Sequence, residues 1–232
     1  MNFEFSEDQE MLRQEARKFL SEQCGPETVR GVLDTDATHD EQLWSTIVEM
    51  GWTATALPEA YGGFGMGYLE LCVIAEELGR AVAPVPFSSA VYLAGESVLA
   101  AGSDAQKSEW LPKLASGEAI GTLALAETPG AVTARKIRAK VENGKLSGTK
   151  MPVPDGSIVD YAVVAAKDAQ GVSLYLADLS DAGVTRETLA TVDLARDAAT
   201  LTFEDVAVEP LGQPGKGLEY LEPVLDRAAV LV

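Results

Sequence analysis

Histidine, cysteine and basic residues are scarce in this chain, and each scarcity narrows what it can do. The single histidine, His39, precedes Asp40 at an expected helix start, where a loop or capping role outweighs catalysis, so a Ser-His-Asp triad is not supported. Two cysteines, Cys24 and Cys72, form no CxxC pattern. Cys72 lies in the apolar run Leu71, Cys72, Val73, Ile74, Ala75, where a free thiol behaves as a small hydrophobe; neither a catalytic thiol nor a metal site is expected. Lysine and arginine number 18 against 36 acidic residues, and the formal charge of -18 repels phosphate backbones and anionic lipid over most of the surface. Nucleic acid and membranes are therefore poor partners, although clustered cations and helix N-termini can still hold an anion locally. No apolar run reaches the ~18 residues of a membrane span, and the acidic start MNFEFSEDQE lacks the basic and apolar regions of a signal peptide. A soluble cytoplasmic protein is expected.

The 232 residues are 47% hydrophobic, enough to bury the core of one large or two ordinary domains. The first half reads as helices. Ser6 and Gln9 form a capping box ahead of Leu12, Ala16, Phe19 and Leu20 at helical spacing, a pattern that Gly25-Pro26 ends. A second helix is expected from about Asp40 to Met50, and a third across Leu71, Ile74, Ala75 and Leu78, closed by Gly79. Between them, residues 57–65 are too rich in Gly and Pro for a regular element. Beyond Pro84 and Pro86, Val91 to Leu99 read as helix; Ser103 and Gln106 repeat the capping box, and Pro112 should kink or end the following helix near Trp110.

At about Ala119 the period changes. Ile137, Ala139 and Val141 alternate with charged residues, Asn143-Gly144 supplies hairpin turn chemistry, and Leu146 starts the returning strand. Residues 161–166, then Val172, Leu174 and Leu176, then 200–203 propose further strands, and their spacing without helices between indicates an antiparallel barrel or sandwich. After Gly215 and Gly217 a helical pattern resumes through Leu218, Leu221, Leu225 and Ala229, and runs without a C-cap to Val232, so a truncated chain is expected. The fold class is therefore α+β. An all-α N-terminal domain (1–118) precedes a β domain (119–215) and the first turns of a C-terminal helical bundle (216–232).

Three stretches now point to a family. Phe5-Ser6-Glu7-Asp8-Gln9 with Ala16-Arg17-Lys18-Phe19-Leu20, then Leu57-Pro58-Glu59-Ala60-Tyr61-Gly62-Gly63-Phe64-Gly65 with Glu76-Glu77-Leu78-Gly79-Arg80, then Trp110-Leu111-Pro112-Lys113-Leu114 with Ser116-Gly117-Glu118, resemble the acyl-CoA dehydrogenases over nearly the whole chain. The resemblance implies flavin adenine dinucleotide (FAD) between the β domain and a C-terminal four-helix domain, and α,β-desaturation of an acyl-CoA thioester. It further implies an electron-transfer flavoprotein as acceptor and a homo- or hetero-oligomer, commonly a tetramer. Two β-domain motifs of the family touch flavin. The first resembles Leu125-Ala126-Glu127-Thr128-Pro129-Gly130-Ala131-Val132-Thr133-Ala134: aligned on Pro129-Gly130, Glu127 occupies the position of a flavin-bonding Thr, and aligned on Glu127, Ala126 does. The second follows Leu146-Ser147-Gly148-Thr149-Lys150 and puts Pro152, Val153 and Pro154 where the family has an aromatic ring, an Ile and a Thr.

By this resemblance Leu125, Ala126, Glu127, Thr128, Val153 and Pro154 are cofactor-binding candidates, and Thr133, at the Ser of the family's GSD turn, is a substrate-contact candidate. The family's catalytic base belongs to the C-terminal domain, so no residue here is given that role. Glu70, Glu76 and Glu77 read as a solvated helix face, and Arg80, Arg135 and Arg138 as surface salt-bridge partners. The alternatives are a non-catalytic partner subunit of a heteromeric dehydrogenase, motivated by Pro152 and Pro154, and a flavin oxidase or monooxygenase of the same superfamily.

Overall fold

Ser6 opens the first helix as its spacing requires: its hydroxyl accepts from Gln9 N at 3.2 Å while Gln9 Oε1 accepts from Ser6 N at 2.9 Å. A computed structural model of the chain describes residues 5–232, which leaves the first four residues of the expected helical domain outside the described part. Helix α1 (Glu7–Gln23) buries Ala16 and Leu20. The Gly25-Pro26 break also starts α2 (Pro26–Leu33), because Pro suits a first helical position where its missing N–H is not needed. Asp40 caps α3 (Glu41–Glu49), its carboxylate accepting from Leu43 N at 2.8 Å, while His39 beside it is neither cap nor ligand and is held below the usual imidazole range by burial.

Helix α4 (Tyr68–Ala81) passes through Gly79 instead of stopping there. Its closing residue is Val82, left-handed at φ 51, and the bonds Val82 N to Gly79 O and Ala83 N to Leu78 O (3.1 and 3.0 Å) satisfy the last turn. Glu77 corrects the solvated-face expectation. It is 1% exposed, and Arg17 of α1 grips it through Nε at 3.0 Å and Nη2 at 2.6 Å, which holds the carboxyl below its usual range. Arg80 approaches the same carboxylate at 3.9 Å, whereas Arg135 and Arg138 form no ion pair among the described residues.

A π-helix (Ser88–Gly95) runs straight into α5 (Glu96–Ala101), where the sequence suggested one α-helix. Helix α6 (Asp104–Ala115), capped by Ser103 and Gln106, continues through Pro112 without ending. The acceptor that Pro112 leaves free belongs to exposed Ser108, where water can replace the missing donor.

The β part is a closed barrel of strands β1 (Gly121–Ala124), β2 (Lys140–Glu142), β3 (Lys145–Pro154), β4 (Tyr161–Asp168), β5 (Gly171–Asp178), β6 (Val184–Thr188) and β7 (Ala198–Leu211). Strand β3 pairs with β2 and β7, β7 with β5, β5 with β4, and β4 returns to β2, closing the ring. Most pairings are antiparallel, but β1 lies parallel to β4 (Gly121 opposite Tyr161), a pairing that no local pattern announces. Strand β2 starts only at Lys140, later than the alternation from Ile137 suggests, because the Glu127 carboxylate takes the N–H groups of Arg138 and Ala139 (2.7 and 3.0 Å) before a ladder can. Helix α7 (Gly217–Leu231) packs Leu221, Val224, Ala228 and Leu231 inward.

Two cores result. One fills the barrel around Val153, Leu201, Phe203 and Val206. The other is continuous across the helices, α7 and the outer side of the barrel, from Ile47 and Leu71 through Leu111 to Val163 and Leu174, so helical and β parts share apolar packing. Cys24 and Cys72 are free thiols, both pushed up by burial, as small apolar residues rather than nucleophiles.

Candidate functional site

Residues 125–128 and the end of β3 lie side by side, joined by one buried cation. Lys150, with a fully buried side chain, reaches Glu127 Oε1 at 2.6 Å and Leu125 O at 3.2 Å, and Met151 N donates to Ala126 O at 2.8 Å. Burial lowers the ammonium pKa, and the Glu127 carboxylate opposes that shift. Glu127 therefore faces inward, holding Lys150 and two backbone N–H groups, and its side chain is committed to the fold. Its neighbours Ala126 and Thr128 are half-buried.

In β3, side chains alternate. Pro152 is exposed, Val153 is fully buried in the barrel core, and Pro154 is half-buried, its carbonyl accepting from Thr122 Oγ1 at 2.7 Å. Val153 can thus contribute to a ligand only through its main chain. Leu125 turns toward α7, where it and Val132 line a groove of about 380 Å³ with Leu218, Leu221 and Leu225, rimmed by Glu219, Glu222 and Asp226. Thr133 lies in the exposed stretch 129–136, braced by Lys136 Nζ on Pro129 O at 3.3 Å and Lys136 N on Thr133 O at 2.9 Å. Its hydroxyl has no partner among the described residues.

The N–H groups of Ala126, Glu127 and Thr128 likewise donate to no partner among the described residues. Unpaired main-chain donors suit the oxygens and ring nitrogens of a flavin, and they do not depend on side-chain type. The prolines at 152 and 154 supply neither a stacking ring nor a hydroxyl. Among the described residues no three His, Cys, Asp or Glu side chains are placed to hold a metal, and no helix is long and apolar enough to cross a membrane.

Sequence reasoning placed Lys150 in a motif but missed its partner. The signal was available: an isolated Glu closing the apolar run Leu123 to Ala126 and an isolated Lys inside a strand must each find a counter-charge when buried. The α7 wall was missed because nothing local says which strand or loop a helix faces.

Comparison with known proteins agrees with this architecture. The family model described as "Acyl-CoA dehydrogenase, N-terminal domain" matches residues 6–118. The chain is 31% identical over 240 aligned residues to the mitochondrial isovaleryl-CoA dehydrogenase of Pongo abelii, covering 95% of this chain and 56% of that protein. A glutaryl-CoA dehydrogenase from Mycobacterium smegmatis, solved in complex with FADH2, superposes with a TM-score of 0.86 at 26% identity, covering 97% of this chain and 60% of that one. A chain of the ChsE4-ChsE5 complex from Mycobacterium tuberculosis superposes with a TM-score of 0.81 at 26% identity, over 100% of this chain and 61% of that one. A helical layer followed by a closed barrel and a helix is the architecture of flavin-linked dehydrogenases of acyl thioesters. This chain belongs to the acyl-CoA dehydrogenase family. It spans a little over half the length of the curated relatives it matches.

Proposed function

We propose that this chain supplies the helical and β parts of a flavin-dependent acyl-CoA dehydrogenase, with residues 1–118, 119–215 and 216–232 as its three structural portions. The observation that carries the reading is the fastening of residues 125–128 to β3 by Lys150 and Glu127, which leaves three main-chain donors without a partner among the described residues, next in sequence to Leu125 of the groove. FAD bound there would accept the β-hydrogen of an acyl-CoA thioester as hydride and pass electrons on to an electron-transfer flavoprotein. Ala126, Glu127 and Thr128 would hold it through N–H groups, Leu125 would shape the acyl side of the cleft against α7, and Val153 and Pro154 would serve as its floor. Thr133, exposed, would meet substrate at the rim. A cytoplasmic tetramer, homo- or heteromeric, fits this reading.

A second reading has a specific observation in its favour. Pro152 and Pro154 remove the ring and hydroxyl from the flavin face, which suits a subunit that buttresses a more orthodox partner, and one structural neighbour is a chain of the two-component ChsE4-ChsE5 complex. Native protein, purified with whatever copurifies, is expected to convert acyl-CoA thioesters to products lacking two hydrogens when an electron-accepting dye is present, as read by mass spectrometry. Unchanged thioester across short, branched and steroid-like acyl groups would sink the dehydrogenase reading. Conversion only when a second polypeptide is retained would select the buttressing role.

A further inference from the structure

Asp155 follows Pro154 at the end of β3 and is 4% exposed. Its backbone is left-handed at φ 51, held by Asp155 N on Asp197 O at 3.0 Å and by Ile158 N on Asp155 O at 3.1 Å. The side chain meets Ser89, a fully buried residue of the π-helix. Ser89 Oγ lies 3.0 Å from Pro86 O and within hydrogen-bond distance of Asp155 Oδ2. Both neighbours are acceptors while Asp155 is ionised, and Ser89 has one hydroxyl proton, so only one contact can then be a hydrogen bond. A proton on Asp155 resolves this. The carboxyl donates to Ser89 Oγ, Ser89 donates to Pro86 O, and both contacts are satisfied.

We propose that Asp155 is a positioning residue that, when protonated, latches the end of β3 to the π-helix through Ser89. The charged and titratable groups around it come from three elements. Arg196 and Asp197 precede β7, Arg196 favouring the carboxylate and Asp197 opposing it. Tyr92 of the π-helix lies within reach of Arg196, and His39 ahead of α3 within reach of Asp197. Arg196 is exposed and donates to Ser88 Oγ, so water screens its pull on Asp155. Burial dominates and pushes the Asp155 carboxyl up to about 6. Because the folded value is raised, the latch contributes fully below the ordinary aspartate range and fades as pH rises through about 6. Asp155 continues directly from the strand end assigned above to the flavin. Its effect on cofactor affinity rests on that reading, whereas the latch itself does not.

The test is carbon-13 NMR of the aspartate carboxyls in the full chain, with Asp155→Asn to assign the resonance, beside thermal midpoints at pH 5 and pH 7. The expected result is a carboxyl midpoint near 6, absent from Asp155→Asn, and a wild-type midpoint temperature that gains on that variant as pH falls from 7 to 5. Ser89→Ala should lose more at pH 5 than at pH 7, since it removes the acceptor of the added proton. An Asp155 carboxyl titrating in the ordinary aspartate range, or an Asp155→Asn profile parallel to wild type, would overturn the latch. FAD titrations of the native protein at the same two pH values separate the readings. Tighter binding at pH 5 that Asp155→Asn makes pH-independent supports both, and no binding at either pH with a carboxyl midpoint near 6 removes the flavin reading while the latch stands.

Discussion

Replacing Lys150 by methionine is expected to destabilise the chain by about 3–5 kcal/mol, the cost of leaving a buried carboxylate without its counter-charge. Lys150 is fully buried and Glu127 is 7% exposed by side chain, so neither charge can turn to water when the other is removed. Two backbone N–H groups, of Arg138 and Ala139, would still hold the carboxylate, which places the loss nearer the lower end. The double variant Lys150→Met with Glu127→Gln should recover much of it, because an amide at 127 carries no charge to strand. Urea midpoints of the four proteins, at matched denaturant slopes, check this as a thermodynamic cycle. Additive losses in the double variant would mean that the pair is not coupled. The same substitution should loosen residues 125–128 on β3 and weaken flavin retention, since Leu125 O and Glu127 both lose their tether to that strand while Met151 N still holds Ala126 O.

The second large effect is expected at Gly63. A Cβ there would stand 2.0 Å from Leu57 O and 2.4 Å from Leu57 C, and the obstacle is backbone, which cannot rotate away. Gly63→Ala should therefore cost about 3 kcal/mol or more, the upper range for overpacking. Gly62→Ala is a different case. Its φ of 83 is left-handed and an added Cβ would meet only Pro112, at an ordinary 3.9 Å, so only the conformational term of about 1–2 kcal/mol applies. Thermal midpoints of the two single variants rank them. Equal losses would show that the loop moves to accept the methyl group. The order matters because the turns Phe64 N to Ala54 O and Gly65 N to Leu57 O seat the segment leading into α4.

Much of this was legible in the sequence where local chemistry is decisive. The two capping boxes, the Asn143-Gly144 turn and the alternation at Val172, Leu174 and Leu176 all act within a few residues, and each is found where expected. What was not legible depends on distant partners. Val82 closes α4 because Leu78 and Gly79 carbonyls accept its turn, not because a glycine is present. The onset of β2 is set by a carboxylate 12 residues upstream of Ala139. The parallel pairing of β1 with β4 joins segments about forty residues apart, and entropy of closure gives such pairings no local signature. At the site, the motif residues were identified, but the inward turn of Glu127 and burial of Val153 convert two apparent side-chain candidates into main-chain ones.

The central claim is that residues 125–128 and the end of β3 form one wall of a flavin site in an acyl-CoA dehydrogenase. It is tested most directly by the visible absorption spectrum of the native protein, recorded anaerobically before and after addition of an acyl-CoA. The account predicts an oxidised flavin band that bleaches with substrate, and that is diminished in both the Lys150→Met and the Lys150→Met/Glu127→Gln proteins, which lack the same tether. A native preparation with no flavin band, alone or with copurifying subunits, would contradict it.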